Sequence, residues 1–148
     1  GDPPPAAGLA LEPLTGARGG AWLTLHNACF FHMPNSATYG LRELEEALGE
    51  GRRCGFALAE GVPVGVYELD LSGECPEIAG LAILPDFQGK GLGRALLSAV
   101  LGELAALGYA RCHLLVATDN ERAFSLYRKT GFKAAAVKSR WFQMIGTV

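Results

Sequence analysis

Hydrophobic and polar positions alternate in recognisable periods along most of the chain. Leu9, Leu11 and Leu14 mark a short first strand. From Ala17 to Phe31 the spacing of Trp22, Leu25, Cys29 and Phe30 predicts an amphipathic helix, which Pro34-Asn35-Ser36 breaks. Ser36 is placed to cap a second helix, in which Leu41, Leu44 and Leu48 form an apolar stripe opposite Glu43 and Glu46. Gly49 and Gly51 end it. Two strands follow, Cys54 to Glu60 and Pro63 to Leu71, and the Glu60-Gly61 pair predicts a hairpin turn between them. A third run, Glu77 to Leu84, lies between Pro76 and Pro85. Gly91 to Leu107 reads as a long helix closed by Gly108, burying Leu92, Leu96, Leu97, Val100, Leu101 and Leu104. Arg111 to Ala117 is a near-continuous apolar run, which predicts a strand buried on both faces. A helix from Asn120 to Lys129 leads to Gly131, and two strands, Phe132 to Val137 and Trp141 to Ile145, complete the pattern.

The order is strand, two helices, three strands, helix, strand, helix, two strands. This predicts a mixed α/β fold with helices packed on one twisted sheet. At 148 residues the chain has the size of one domain, 1–148, with no internal repeat or boundary. Residues 1–7, which include Asp2-Pro3-Pro4-Pro5, read as a disordered tail. A formal charge of −2 supplies no basic surface for nucleic acid. No stretch approaches a membrane span, and no basic region followed by an apolar run opens the chain, so the cytoplasm is the expected location. Cys29, Cys54, Cys75 and Cys112 lack metal-ligand spacing, His26, His32 and His113 are scattered, and no metal is expected. The thiols are expected to be reduced, with Cys112 in the core.

Chemistry enters at Gln88-Gly89-Lys90-Gly91-Leu92-Gly93-Arg94, between a strand and the long helix. Glycine lets a ligand approach the backbone closely, and a helix N-terminus offers free N–H groups whose dipole favours anions. Lys90 and Arg94 add positive charge. The segment suits a pyrophosphate, although a strand-to-helix turn with no ligand uses the same glycines. It is not a P-loop, because Leu84 stands where the first glycine belongs and Gly91 follows Lys90. Nor is it the dinucleotide fingerprint, whose third glycine falls on Arg94.

The pattern that fits is Q/R-x-x-G-x-G/A, met by Gln88, Gly91 and Gly93. Here the chain resembles the GNAT family, the Gcn5-related N-acetyltransferases. Upstream, Leu81-Ala82-Ile83-Leu84-Pro85 is similar to the family's fourth strand. Downstream, Asn120-x-x-Ala123-x-x-x-Tyr127-x-x-x-Gly131-Phe132 is similar to its second signature. The detailed resemblance covers Glu77 to Phe132, and the element order extends it over most of the chain. It implies a central, mostly antiparallel sheet of about seven strands with helices on both faces, and acetyl-CoA as cosubstrate. It also implies that Leu81, Ala82, Ile83, the loop from Gln88 to Arg94, Asn120, Ala123 and Tyr127 bind that cosubstrate.

Acetyl transfer to an amine has three requirements. The amine must be neutral, although a free alkylamine has a pKa of about 10. The thioester oxygen gains negative charge and needs a donor. The departing thiolate needs a proton. The resemblance implies that the strand splays open at Leu81, whose backbone N–H meets the acetyl carbonyl, and that Ile83 pairs its backbone with the pantetheine arm. Tyr127 lies seven residues after Asn120, about two helical turns, so the two share a face. It is the candidate acid, although spacing alone fits a core aromatic equally well. Glu77 is the candidate base. It stands four residues before Leu81, and strand alternation puts both on one face. Glu68, Asp70 and Glu74 compete with it.

The resemblance places the acceptor pocket between the loop joining the first two helices and the last two strands. Those regions contribute Phe31, His32, Met33, Tyr39 and Trp141. The expected activity is acetyl transfer to a primary amine of a small molecule or peptide, by a monomer or homodimer. Use of a larger acyl-CoA, or a CoA-binding sensor without catalysis, are the alternatives.

Overall fold

The computed structural model describes residues 9–31 and 38–148. Seven strands form one sheet: β1 (Leu9–Pro13), β2 (Arg52–Ala59), β3 (Val62–Asp70), β4 (Glu77–Ile83), β5 (Arg111–Ala117), β6 (Lys133–Lys138) and β7 (Trp141–Thr147). Their order is β1-β2-β3-β4-β5-β7-β6, and among the described residues only β4 and β5 run parallel. The helices are α1 (Gly19–Phe30), α2 (Leu41–Ala47), α3 (Leu92–Ala106) and α4 (Glu121–Lys129). The predicted mixed, mostly antiparallel sheet is therefore observed.

The sheet separates two cores. On one face α1 and α2 bring Trp22, Cys29 and Ala47 against Cys54, Phe56 and Val66. Trp22 is fully buried, and its indole N–H is satisfied by the Gly55 carbonyl at 3.0 Å. Gly55 is required there, since a Cβ would collide with the Glu12 carbonyl and the Tyr67 ring. On the other face α3 packs Leu96, Leu97, Val100 and Leu104 on Ala57, Val64, Tyr67, Leu69 and Ile78. Alongside, α4 rests on β7 through the ring contact of Phe124 with Phe142, and Tyr127 packs on Phe132, the residue before β6. Glu60 and Gly61 both take positive φ, the conformation a two-residue hairpin demands.

Three expectations need correction. β5 is not buried on both faces: Cys112, Leu114 and Val116 face the core while Leu115 is 43% exposed, because α1 and α2 cover β2 to β4 and leave the same face of β5 open. The α2 stripe is incomplete, with Leu44 packed but Leu41 and Leu48 exposed. That helix begins at Leu41, where the Gly40 N–H donates to Glu43 Oε1 at 3.0 Å; the predicted cap Ser36 lies outside the described residues.

The third correction concerns Glu77. β4 carries a bulge: Glu68 pairs with Gly80 and Leu69 with Ile78, leaving Ala79 as the extra residue. A bulge shifts the alternation by one. Leu81 pairs with Tyr67 and packs in the α3 core, whereas Glu77 pairs with Asp70, which shares a face of β3 with Val66 and Glu68. Glu77 and Leu81 therefore lie on opposite faces of the sheet.

Candidate active site

The site is built where β4 and β5 separate. They pair only at Glu77 with His113 and Ile78 with Leu114. Beyond that, β4 remains paired to β3 as far as Ile83, and β5 to β7 as far as Ala117. Leu84 donates to the Val64 carbonyl at 2.8 Å, and the Ala82 carbonyl lies against Gly65. Alternation then turns the N–H groups of Leu81 and Ile83 toward the vacated β5 side. The Gln88 side chain donates to the Ile83 carbonyl at 3.1 Å, tying the glycine loop to the end of the strand.

Gly89 and Gly91 adopt φ of 79° and 78°, which glycine tolerates without strain. Gly91 caps α3, and the first helical hydrogen bond there is Ala95 N–H to Gly91 O at 3.1 Å. The amides of Leu92, Gly93 and Arg94 precede it and have no intrahelical acceptor. A Cβ at Gly89, Gly91 or Gly93 would meet nothing within 4 Å. Missing side chains thus leave an open cradle beside free amides and Arg94, a fit for a diphosphate.

The cradle continues into a cleft of about 350 Å³. Every predicted cofactor residue lines it except Lys90, whose ammonium lies 5.5 Å from the Phe87 ring centroid, and Leu92, which packs on the core. From α4 come Asn120, Ala123 and Tyr127. Asn120 Oδ1 caps the helix by accepting from Ala123 N–H at 3.1 Å, which leaves its amide NH₂ as the group available to a ligand. The Tyr127 hydroxyl makes no hydrogen bond among the described residues, and burial pushes its pKa up to about 12. It is therefore a protonated phenol without an internal acceptor.

Four lining residues were not predicted: Cys29, Leu96, Arg122 and Leu126. Arg122 carries a signal in its charge between Asn120 and Ala123. Leu96 was read as core only, and it is both. Cys29 has no local signal, because it arrives from α1 on the other side of the sheet.

Glu77 does not line the cleft. It stands between Asp70 and His113 in the cross-strand register, on the α1/α2 face. His113 Nδ1 is buried there without a hydrogen-bond partner among the described residues. Asp70 accepts from the Ser72 hydroxyl at 2.6 Å and from its N–H at 3.0 Å, which lowers its pKa. Glu68, one step further along β3, is 8% exposed and paired with Arg52 at 3.3 Å; burial raises its pKa.

The predicted acceptor residues are not gathered in the cleft. Tyr39 is stacked on His26 with ring centroids 3.6 Å apart, and its hydroxyl donates to Glu68 Oε2 at 3.4 Å. Phe31 is 80% exposed, and Trp141 is half-exposed opposite Ala117 and Lys138. His32 and Met33 lie outside the described residues. Among the described residues no cluster of His, Cys, Asp or Glu is arranged to hold a metal, and no helix is long and apolar enough to cross a membrane.

The chain is similar to known proteins in sequence and in fold. Mycothiol acetyltransferase of Clavibacter michiganensis subsp. michiganensis (strain NCPPB 382) is 34% identical over 142 residues, covering 93% of this chain and 46% of the relative. That of Streptomyces bingchenggensis (strain BCW-1) is 36% identical over 118 residues, covering 76% of this chain and 38% of the relative. The chain thus spans less than half the length of these relatives. In fold it is similar to an acetyltransferase from Thermus thermophilus, with a TM-score of 0.80 and 22% identity over 97% of this chain and 99% of that one. It is also similar to the PaiA N-acetyltransferase of Thermoplasma acidophilum, solved with coenzyme A, with a TM-score of 0.75 and 19% identity over 95% of this chain and 99% of that one. The model of the acetyltransferase (GNAT) family matches residues 20–132, a span that holds the separated strands, the glycine loop and the Asn120–Tyr127 helix together, and the chain belongs to that family.

Proposed function

We propose that the chain transfers an acetyl group from acetyl-CoA directly to a primary amine of a small molecule or peptide. The observation that carries this reading is the continuity of one cleft from the loop amides, along the unpaired edge of β4, to the Tyr127 phenol. The amides of the loop and Arg94 hold the diphosphate. The strand edge at Ile83 pairs with the amide arm. The Leu81 N–H faces the gap and stabilises the charge that develops on the thioester oxygen. Tyr127 donates its proton to the departing thiolate.

The two faces of the sheet divide the work. The loop and α4 lie on the α3 side, so the thioester enters from there. Glu77, Asp70 and His113 lie on the α1/α2 side, from which the amine approaches and loses its proton, with Glu77 as the base. Reactants meeting through a gap suit direct displacement. Cys29 does not offer a covalent alternative: burial pushes its thiol up to about 12, and the thiolate is the nucleophilic form.

The test is release of CoA from acetyl-CoA across a panel of amines. The relatives' name puts the unacetylated form of mycothiol on that panel, beside polyamines and peptides with free N-termini. Amine-dependent release supports the reading. Tight CoA binding without release for any amine would point to a sensor and sink it.

A further inference from the structure

Of the described residues lining the cleft, Cys29 alone comes from α1. It is 3% exposed and packs with Trp22, Phe56 and Val66, in the core on the far side of the sheet from α3 and α4. A residue there reaches the cleft only through the gap that opens when β4 and β5 stop pairing. Its sulfur lies 3.9 Å from the Ala82 carbonyl, which turns toward β3, so Cys29 sits over β4 at the residue next to Leu81. The cleft thus has a polar mouth at the glycine loop and an inner end lined by Cys29, Leu81 and Ala82.

We propose that Cys29 gauges the acyl group, closing the inner end of the cleft at a size that admits acetyl and rejects longer chains. This rests on the acetyl-CoA reading and specifies which acyl-CoA the cleft takes. An acyl chain attached to the CoA sulfur points inward from Tyr127, toward the gap. The inner end is walled by packed groups, Cys29 held by Trp22 and Phe56, and Ala82 held by its pairing with Val66. Close-packed walls do not yield cheaply to an added methylene. The role depends on the volume of the side chain and not on thiol chemistry.

The experiment measures the affinities of the intact chain for free CoA, acetyl-CoA, propionyl-CoA and butyryl-CoA by calorimetry without acceptor, then kcat/KM for each thioester with one accepted amine. Cys29→Ala is expected to raise the propionyl-to-acetyl ratio about 10-fold or more, the scale of one methylene in a closed pocket, with free CoA affinity unchanged. Cys29→Ser, which keeps a γ atom smaller than sulfur, is expected to shift the ratio in the same direction but less than Cys29→Ala. An unchanged ratio in folded Cys29→Ala overturns the gauge, as does an effect confined to the KM of the amine. If Cys29→Ala does not fold, Cys29→Val decides: it is expected to weaken acetyl-CoA at least about 10-fold relative to free CoA, and an equal loss for both overturns the proposal. Failure of the wild type to bind free CoA removes the acetyl-CoA reading itself, a result distinct from an unchanged ratio.

Discussion

Glu77 stands directly beside His113 in the β4–β5 register, and the two strands separate after the next pair, Ile78 with Leu114. The bulge at Ala79 puts Glu77 and His113 on the α1/α2 face, away from Leu81. In the proposed reaction Glu77 is the base on that face, taking a proton from an amine that arrives from the side opposite the thioester. Glu77→Gln keeps shape and removes the proposed base. Turnover is expected to fall most at low pH, where the amine is protonated, and least near its own ionisation at about pH 10. CoA affinity is expected to hold. Steady-state rates from about pH 6 to 9 check this, a window below the amine's ionisation. Wild-type rates throughout would transfer the role to Asp70, Glu74 or Glu68.

The glycine loop offers a test that separates binding from folding. Gly91 has φ of 78°, so a side chain there strains the backbone whatever its effect on ligand. Gly93 lies in the first turn of α3 without positive φ, and a Cβ there meets nothing within 4 Å. Gly93→Val fills the cradle and leaves the helix intact. Calorimetry is expected to show CoA affinity reduced at least about 100-fold, the loss of several charge-assisted hydrogen bonds, with Tm within a few degrees of wild type. Wild-type affinity in this variant would place the diphosphate elsewhere.

What was legible in the sequence follows from how local each signal is. The loop and the Asn120–Tyr127 helix carry their chemistry within a few consecutive residues, and both line the one cleft. The bulge at Ala79 was not legible: Glu77-Ile78-Ala79-Gly80-Leu81 has the look of a regular strand, and only pairing with β3 shows the extra residue. The exposure of Leu115 depends on where α1 and α2 stop covering the sheet, a tertiary property that an apolar run does not encode. Cys29 joins the site across more than fifty residues and through a gap between strands, so no spacing rule reaches it.

Buried thiols and phenols give the fold an alkaline limit. Burial pushes Cys29, Cys54 and Cys112 from 9.0 to about 12, and Tyr39, Tyr67 and Tyr127 from 10.0 to about 12. The folded chain keeps protons that the unfolded chain releases. This stabilisation is complete below about pH 9 and is lost as pH rises toward about 12. Each group contributes a slope of up to about 1.4 kcal/mol per pH unit. Urea unfolding at pH 8, 9, 10 and 11, steps chosen to bracket the ordinary thiol and phenol values of about 8.5 and 10, is expected to show falling stability above the second. Cys112→Ala is expected to make the fall shallower. A flat profile would contradict the burial of these groups.

Tyr127 decides between a catalyst and a binding module. Its ring packs 5.6 Å from that of Phe132, and its hydroxyl opens on the cleft without an internal acceptor. A core tyrosine whose hydroxyl served the fold would spend it on a buried carbonyl or carboxylate, as Tyr39 does on Glu68. With its pKa pushed up to about 12, the phenol stays protonated throughout the working range and imposes no falling limb of its own on the pH–rate profile below about pH 11. Tyr127→Phe keeps the ring contacts and removes only the donor. Turnover is expected to drop about 10²–10⁴-fold, the scale of a positioned general acid. Affinity for acetyl-CoA and Tm are expected to stay near wild type, since no hydrogen bond of the fold is lost. Leaving-group chemistry supplies the sharper check. An acyl donor whose thiol has a low pKa needs no proton on departure, so the deficit of Tyr127→Phe is expected to shrink with such a thioester of CoA-like shape. An equal deficit for both donors would assign the loss to positioning of the cosubstrate, and normal turnover would remove Tyr127 from the chemistry altogether.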